Sequence, residues 1–242
     1  MSGIPWARIE AVFLDAGNTL LSVDFTWVGE ELGRRGVACE PDALRRAEAA
    51  ARPAISAALA RRGRSEGSDA FAFYLGAVLE RLGAAAVLDA AGRERLVADL
   101  APVLRSRGTE RLWSEVLPRV RESLAALREL GLPLVVVSNS DGTVERGLAM
   151  QGLRGYFDAV VDSHLVGFEK PDPRIFRPAL DAAGCAPERA LHVGDIYAAD
   201  VLGARAAGVH PLLLDPYGDW EGVDCERSPD LWELVRRLAE VR

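Results

Sequence analysis

The sequence contains few of the residues that define several common classes of protein. Among 242 residues there are three cysteines, three histidines and two methionines. The cysteines, Cys39, Cys185 and Cys225, are odd in number and widely spaced, and no Cys-x-x-Cys pair occurs. Neither a disulfide framework nor a cysteine-rich zinc site is therefore indicated, and a reducing compartment suits the chain best.

Long apolar runs and basic clusters are also missing. No segment approaches the roughly 20 apolar residues that a membrane helix needs, so we expect a soluble, cytoplasmic protein without a membrane partner. The formal net charge is −7, and arginines alternate with acids, as in RRAEAAARP at residues 45–53. We interpret such segments as solvated helix faces and expect no nucleic-acid partner. The sequence leaves the oligomeric state open.

Lysine is nearly absent. Of 29 basic side chains, 28 are arginines, and the single lysine is Lys170. A genomic bias toward arginine explains the overall composition but not the one lysine that remains. A compact ammonium fits as a point charge between close anionic oxygens, where a planar guanidinium does not. Lys170 is therefore a candidate functional residue.

The sequence does contain short apolar runs typical of buried parallel strands. Strand and helix periods alternate with short links, which predicts an α/β fold with a doubly wound, mostly parallel sheet. The strands are expected at residues 9–14, 134–138, 159–162, 190–193 and 211–214. The helices are expected at residues 114–130, 142–150, 173–183, 199–207 and 229–242.

Residues 22–112 differ from the rest of the chain. They carry no convincing strand and are rich in alanine, leucine, arginine and glutamate. We predict about four helices that form a separate helical cap, inserted into a core made of residues 1–21 and 113–242. The breaks between these helices are expected at Gly36 with Pro41, at residues 63–67, and near Gly83 and Gly92.

Polar residues follow the predicted strands where ligands bind in an open parallel sheet. Because the carboxyl ends of parallel strands share one edge, we expect these side chains to lie together. Several close carboxylates need a cation, and oxygen ligands without thiol or imidazole favour Mg²⁺. The residues are Asp15, Ser138, Asn139, Lys170, Asp195 and Asp200.

This set of groups suits phosphoryl transfer. Lys170 would neutralise charge on the transferring group, while Ser138 and loop amides hold its oxygens. Asp15 would attack phosphorus to form an aspartyl phosphate, which water then cleaves.

Four segments resemble, in order and spacing, the motifs of the haloacid dehalogenase-like (HAD) hydrolase superfamily. They are DAGNTL at 15–20, VVVSNS at 135–140, EKPDPRIF at 169–176 and HVGDIYAADVLGARAAG at 192–208. The resemblance covers the whole chain, since residues 22–112 resemble the helical cap of that family. It implies a Rossmann-like core and a Mg²⁺-dependent hydrolase, most simply a phosphatase, with a small phosphorylated substrate.

The resemblance also implies a role for each motif residue. Asp15 would be the nucleophile and a Mg²⁺ ligand, with the backbone carbonyl of Gly17 and the carboxylate of Asp195 as further ligands. Asp200 would ligate the metal directly or through water. The phosphate-binding groups would be Ser138, Asn139 and Lys170, and Lys170 would also pair with Asp15.

One position departs from the family pattern. Its phosphatases carry Asp-x-Asp-Gly-Thr in the first motif, and the second Asp protonates the leaving group and later activates water. Here Gly17 stands at that position, followed by Asn18. Loss of a general acid costs about a hundred- to ten-thousand-fold in rate. Asp24 and Glu169 are nearby carboxylates that could replace it, although solvated positions account for both more simply.

Three functions remain open. The first is a phosphatase whose substrate has a good leaving group, or whose acid comes from the cap or from the substrate. The second is a metal-independent, dehalogenase-like hydrolase, which the pairing of Asp195 with Asp200 disfavours because paired acids need a cation. The third is a module that binds a phosphorylated ligand with little or no turnover. A phosphonate-cleaving reaction through a cap lysine is excluded, since residues 22–112 contain no lysine.

Several aromatic and imidazole side chains complete the set of candidates. Tyr197 is expected to face the cleft, with packing as the alternative, and Trp27 is the cap tryptophan considered for substrate contact. The histidines lie in or beside strands and are interpreted as structural; they are His164, His192 and His210.

Overall fold

The computed structural model of the protein describes residues 3–62, 68–83, 88–106 and 108–242. Its strands are β1 (Ala11–Leu14), β2 (Leu21–Val23), β3 (Trp113–Val116), β4 (Leu134–Ser138), β5 (Ala159–Asp162), β6 (Ala190–Gly194), β7 (His210–Leu214) and β8 (Arg227–Ser228). Six of them form one sheet in the order β5-β4-β1-β6-β7-β8, and every neighbouring pair is parallel. The predicted α/β fold with a mostly parallel sheet is confirmed.

Helices cover both faces of this sheet and fill the segment between β2 and β3. They are α1 (Phe25–Gly33), α2 (Pro41–Arg62), α3 (Ser68–Arg81), α4 (Ala90–Arg105), α5 (Thr109–Leu112), α6 (Val120–Glu129), α7 (Val144–Met150), α8 (Ser163–Val166), α9 (Arg177–Ala183), α10 (Leu202–Ala206) and α11 (Leu231–Ala239). The break expected at residues 63–67 lies outside the described residues. The break expected near Gly83 and Gly92 agrees with the bounds of α3, which ends at Arg81, and of α4, which begins at Ala90. Gly92 itself lies in the first turn of α4, where its N–H donates to the capping carboxylate of Asp89.

The sheet is apolar because both of its faces are covered. Along β1, Val12 and Leu14 face a core that includes α6 and α11, whereas Ala11 and Phe13 face the opposite core with α9 and α10. All four residues are fully buried. Alternate side chains of one strand thus serve two cores, which explains why the strand is a continuous apolar run without polar alternation.

Residues 25–112, here called the helical insert, pack around a hydrophobic core of their own. Leu32, Leu44, Leu79, Leu100 and Leu104 come from four different segments of the insert and are buried together. The two sheet cores contain none of these side chains. Within the described ranges of the chain, no helix is at once long and apolar enough to cross a membrane.

The insert is joined to the sheet through a short antiparallel ribbon that the sequence did not indicate. In this ribbon Leu21 pairs with Val116, and Val23 pairs with Trp113. The helix predicted from residue 114 is therefore wrong at its start, since residues 113–116 form β3 and α6 begins at Val120. Pro118 supplies the physical reason, because proline disfavours helical backbone in the residue before it.

Candidate active site

Lys170 lies between two aspartates that are distant from it in sequence. Its Nζ is 2.6 Å from Oδ1 of Asp15 and 2.7 Å from Oδ1 of Asp200. Only 2% of the Lys170 residue is exposed. Burial alone would lower the pKa of its ammonium, but the charges of Asp15 and Asp200 outweigh burial and raise it. Lys170 therefore carries a fixed positive charge at the carboxyl end of β1.

The loop that carries Lys170 is held in place by the residue after β4. The side-chain Oδ1 of Asn139 accepts a hydrogen bond from the Lys170 backbone N–H at 2.7 Å, and its Nδ2 donates to the Lys170 carbonyl at 2.9 Å. The Asp15 backbone N–H in turn donates to the carbonyl of Val193 in β6. Three neighbouring strands thus fix the positions of Asp15 and Lys170.

Asp200 is fixed on all sides. Its Oδ1 accepts from Lys170 and lies 3.0 Å from His192 Nε2, while its Oδ2 accepts from the Ile196 N–H at 2.8 Å. A Cβ added to Gly194 would come within 2.2 Å of the Asp200 carboxyl carbon. Glycine is therefore required at position 194, because the Asp200 carboxylate packs directly against the backbone there.

Burial and charge act differently on the acids of the site. Burial raises the pKa of Asp15 and of Asp195 above the ordinary value, only partly opposed by Lys170 and Arg52 respectively. For Asp200 burial acts in the same direction, but Lys170 and His192 outweigh it and lower the pKa. Asp200 therefore stays ionised and serves as the partner of Lys170.

His192 belongs to the site as well as to the sheet. It was expected to be structural, and its ring does pack at 85° against Phe176, with 5.0 Å between the ring centroids. Its other contact, with Asp200, places it directly behind Lys170. Burial lowers the pKa of the imidazole, so it stays neutral and can donate its Nε2 proton to Asp200.

The third acid of the sheet edge, Asp195, faces an arginine of the helical insert. Its Oδ2 lies 3.2 Å from Nε of Arg52 on α2. Arg52 also binds Glu48 one turn earlier, with 2.7 Å between Nη2 and Oε2. Glu48 in turn accepts a hydrogen bond from Nδ2 of Asn18 at 2.9 Å. A chain of contacts therefore runs from the first motif through the insert and back to the fourth motif.

The sequence interpretation missed Glu48 and Arg52. They belong to the RRAEAAARP segment that was interpreted as a solvated face, yet only 2% of Glu48 and 6% of Arg52 is exposed. Helical spacing gives a signal for them, since both follow Leu44 at intervals of four residues and precede Ile55 by seven and three. They therefore lie on the apolar side of α2.

A cavity of about 250 Å³ opens above these groups, between the sheet edge and the insert. From the sheet edge it is lined by Asp15, Gly17, Ser138, Asn139, Lys170, Asp195 and Asp200, which are the residues predicted from the motifs. From the insert side it is lined mainly by apolar and aromatic side chains. The predicted site residues are thus brought together at one cavity.

Two aromatic candidates, Tyr197 and Trp27, do not line this cavity. The expectation that Tyr197 faces the cleft is wrong, because its hydroxyl donates to Asp224 at 2.6 Å and its ring packs 6.3 Å from that of Trp220. Trp27 lies beside a separate pocket together with Asp24, whose carboxylate caps α1. Trp113 is the tryptophan that lines the cavity.

The acids of the site have the donor chemistry, but not a preformed arrangement, for binding Mg²⁺. Across the described ranges, no three His, Cys, Asp or Glu side chains are arranged to hold a metal ion. The donor types nevertheless fit Mg²⁺, because they are oxygens, and the buried Oδ2 of Asp195 accepts no hydrogen bond from the described residues, its contact with Arg52 being an ion pair at 3.2 Å. A metal bound between Asp15 and Asp195 would replace the contact of Asp195 with Arg52.

Comparisons with known proteins identify the family of the chain. The model of the haloacid dehalogenase-like hydrolase family matches residues 9–208. Haloacid dehalogenase-like hydrolase domain-containing protein 3 of Homo sapiens is 37% identical over 179 residues, which cover 74% of this chain and 70% of that protein. Phosphoserine phosphatase of Thermus thermophilus is 38% identical over 186 residues, which cover 76% and 72%.

A solved structure shows the same fold. The putative HAD-hydrolase YfnB of Bacillus subtilis, solved bound to magnesium, aligns with a TM-score of 0.64 at 18% identity, over 96% of this chain and 99% of that one. The four motifs, the parallel sheet and the match of the family model over most of the chain lead to one conclusion. The chain belongs to the haloacid dehalogenase-like hydrolase family.

Proposed function

We propose that the protein is a phosphatase that transfers the phosphoryl group of a small substrate to Asp15. The observation that carries the proposal is the contact of Lys170 with Asp15 at the floor of the cavity. The ammonium would neutralise phosphoryl oxygens next to the attacking carboxylate. The phosphatase name of the Thermus thermophilus relative supports the same reaction class.

The reaction would proceed in two steps. A carboxylate oxygen of Asp15 would form a bond to phosphorus while the bond from phosphorus to the leaving oxygen breaks. Water would then attack phosphorus, release inorganic phosphate and regenerate the Asp15 carboxylate. Ser138 would hold a phosphoryl oxygen through its hydroxyl. Since the side-chain amide of Asn139 already holds Lys170, contact between Asn139 and the substrate falls to its backbone.

Magnesium would be held by Asp15, the Gly17 carbonyl and Asp195. When bound, it would neutralise charge on the phosphoryl group. Both carboxylate oxygens of Asp200 already accept hydrogen bonds, which favours a contact with the metal through water over direct ligation. The helical insert would act as the cap, since Arg52 reaches Asp195 and the insert forms the upper wall of the cavity.

The test is hydrolysis of acetyl phosphate and p-nitrophenyl phosphate with and without Mg²⁺. We expect turnover with the metal, loss of turnover with a chelator, and loss in Asp15→Asn. The matched control is Asp181→Asn, because Asp181 is an exposed aspartate on α9. A folded protein that releases no phosphate from either compound would contradict the proposal, and tight binding of the esters without turnover would favour a binding module.

A second candidate is a metal-independent hydrolase of carbon–halogen bonds. The sequence argument against it was that Asp195 and Asp200 need a cation, and Lys170 and Arg52 supply positive charge beside them. The two acids therefore have cationic partners without a metal ion. Halide release from a haloacid that persists in the presence of chelator would favour the dehalogenase, and its absence would leave the phosphatase.

A further inference from the structure

Trp113 covers the position from which the family's second aspartate acts. A Cβ built on Gly17 would lie 3.2 Å from Cζ3 and 3.5 Å from Cη2 of the Trp113 indole. These distances are tight for a carbon contact, so a side chain at position 17 requires the indole to move. The glycine in the first motif is thus matched to an aromatic ring placed beside the nucleophile.

The indole is the first of a series of rings along the cavity. The centroids of Trp113 and Tyr74 are 5.9 Å apart, and those of Tyr74 and Phe71 are 6.1 Å apart. Ile55 and Leu59 of α2 add aliphatic surface to the same wall. A cavity of about 150 Å³ lined by such residues accepts benzene, so the 250 Å³ present here has room for one aromatic ring and a phosphoryl group.

Away from the nucleophile, three charged residues line the cavity, and each contacts a neighbouring group. Asp141 accepts hydrogen bonds from Thr109 and Thr143, both at 2.6 Å. Glu110 pairs with Arg146 at 2.6 Å. The guanidinium of Arg105 lies over the Phe71 ring, 5.9 Å from its centroid. The wall therefore offers a leaving group mainly aromatic and apolar contact, with the Arg105 cation stacked beside it.

The Tyr74 hydroxyl is a buried polar group of this wall without a geometrically well-formed hydrogen bond. The polar group that interacts with it is the side chain of Asn18, whose Oδ1 also lacks a well-formed hydrogen bond to the described residues. A buried hydroxyl without a well-formed hydrogen bond is costly, and a bound ligand oxygen would satisfy it. Burial also raises the pKa of Tyr74, so the hydroxyl keeps its proton and can donate it in a hydrogen bond.

We propose, on the basis of the proposed function, that the substrate is a phosphate monoester of a phenol-type alcohol. The aromatic leaving group packs against Trp113 and Phe71, and its ester oxygen accepts a hydrogen bond from Tyr74. Asp15 forms the new bond to phosphorus, and the bond to the aryl oxygen breaks with its electron pair. The phenolate takes its proton from solvent. Because a phenolate is a weaker base than an alkoxide, it can leave without the general acid that is missing at position 17.

The experiment compares two substrates whose leaving groups are similarly weak bases. One is dinitrophenyl phosphate, which is aromatic, and the other is acetyl phosphate, which is not. We expect kcat/KM to be about ten- to a hundred-fold higher for the aromatic ester, because burying and stacking an aromatic ring strengthens binding by more than about ten-fold. A series of substituted phenyl phosphates should also lose rate steeply as the leaving group becomes more basic.

Substitutions of the ring residues test which side chains cause the preference for the aromatic ester. Trp113→Ala should lower the ratio of the two kcat/KM values toward one, mainly through KM for the aromatic ester. Phe71→Ala gives the same test if the tryptophan variant fails to fold. Trp232→Ala is the matched control, because that indole lies on α11, where it packs against Arg119, and its loss should leave the ratio unchanged.

The outcomes separate this inference from the proposed function. Equal kcat/KM values for the two esters, or a ratio that Trp113→Ala and Phe71→Ala leave intact, would overturn the inference while the phosphatase stands. Failure of the folded protein to hydrolyse either compound would overturn the phosphatase and the inference together.

Discussion

The ammonium of Lys170 lies 2.6 Å from the Asp15 carboxylate, although 155 residues separate them in the chain. The contact joins the loop held by β4 to the end of β1, and Asp200 completes it from the helical turn that follows β6. One positive charge thus contacts two buried carboxylates. Stability and chemistry at this site depend on the same three side chains.

Replacement of Lys170 should therefore destabilise the fold as well as stop turnover. Lys170→Met keeps the length of the side chain but removes the cation beside the buried carboxylates of Asp15 and Asp200, which should lower the free energy of unfolding by about 3–5 kcal/mol. Lys170→Arg keeps the charge and should recover part of this stability without activity, because the planar group does not fit. Urea denaturation and phosphate release measure the two effects. A methionine variant as stable as the wild type would contradict the expectation.

Gly194 should tolerate no side chain. In Gly194→Ala the new Cβ would overlap the Asp200 carboxylate at 2.2 Å, so either the strand end or Asp200 has to move. We expect a loss of stability of about 1–3 kcal/mol together with a large loss of activity. Gly33→Ala is the control, because a Cβ there meets nothing within 4 Å and alanine favours the helix. Equal behaviour of the two variants in thermal unfolding would refute the steric explanation.

An aspartate at position 17 should act only when the indole beside it is made smaller. Gly17→Asp alone places its Cβ 3.2 Å from Trp113, so the carboxyl group should be misplaced. Combined with Trp113→Phe, it should raise kcat/KM for an alkyl phosphate about a hundred-fold over Trp113→Phe alone, the lower range for a general acid. A double-mutant cycle measures the coupling. If Gly17→Asp raises kcat/KM by the same factor when Trp113 is present, the two positions are independent.

The buried imidazole of His192 predicts a pH dependence of stability. Its pKa is lowered from the ordinary value of 6.5, so below that pH the unfolded chain binds a proton that the folded protein does not. Its contribution to stability is present above pH 6.5 and is lost as the pH falls toward the folded pKa. The stability difference between wild type and His192→Asn should fall by up to about 1.4 kcal/mol per pH unit over that range. Urea denaturation at several pH values measures it, and a constant difference would contradict the assignment.

The sequence predicted the parts of this structure that depend on local pattern. Strands β4 and β5 have the bounds that their apolar runs predicted, because buried parallel strands need continuous apolar sequence. Asp15, Lys170 and Asp200 meet because the segments that carry them follow parallel strands, whose carboxyl ends share one edge of the sheet.

The features that the sequence did not predict depend on distant partners. The alignment of Glu48 and Arg52 with Leu44 indicates the apolar side of α2, but their contact with Asp195 depends on how α2 packs against the sheet edge. The ribbon of β2 and β3 joins segments of three and four residues, too short to be recognised separately. The place of Trp113 beside Gly17 likewise depends on how that ribbon pairs.

The ribbon also determines how substrate preference can change. Because β2 and β3 are hydrogen-bonded to each other, the chain leaves the sheet and returns to it at a single place. A different set of helices whose ends lie one strand spacing apart can be joined there without altering a residue of the catalytic edge. Most of the wall that we propose contacts the leaving group can therefore change as a unit, whereas Trp113 belongs to the ribbon itself and Asp15 to the sheet edge.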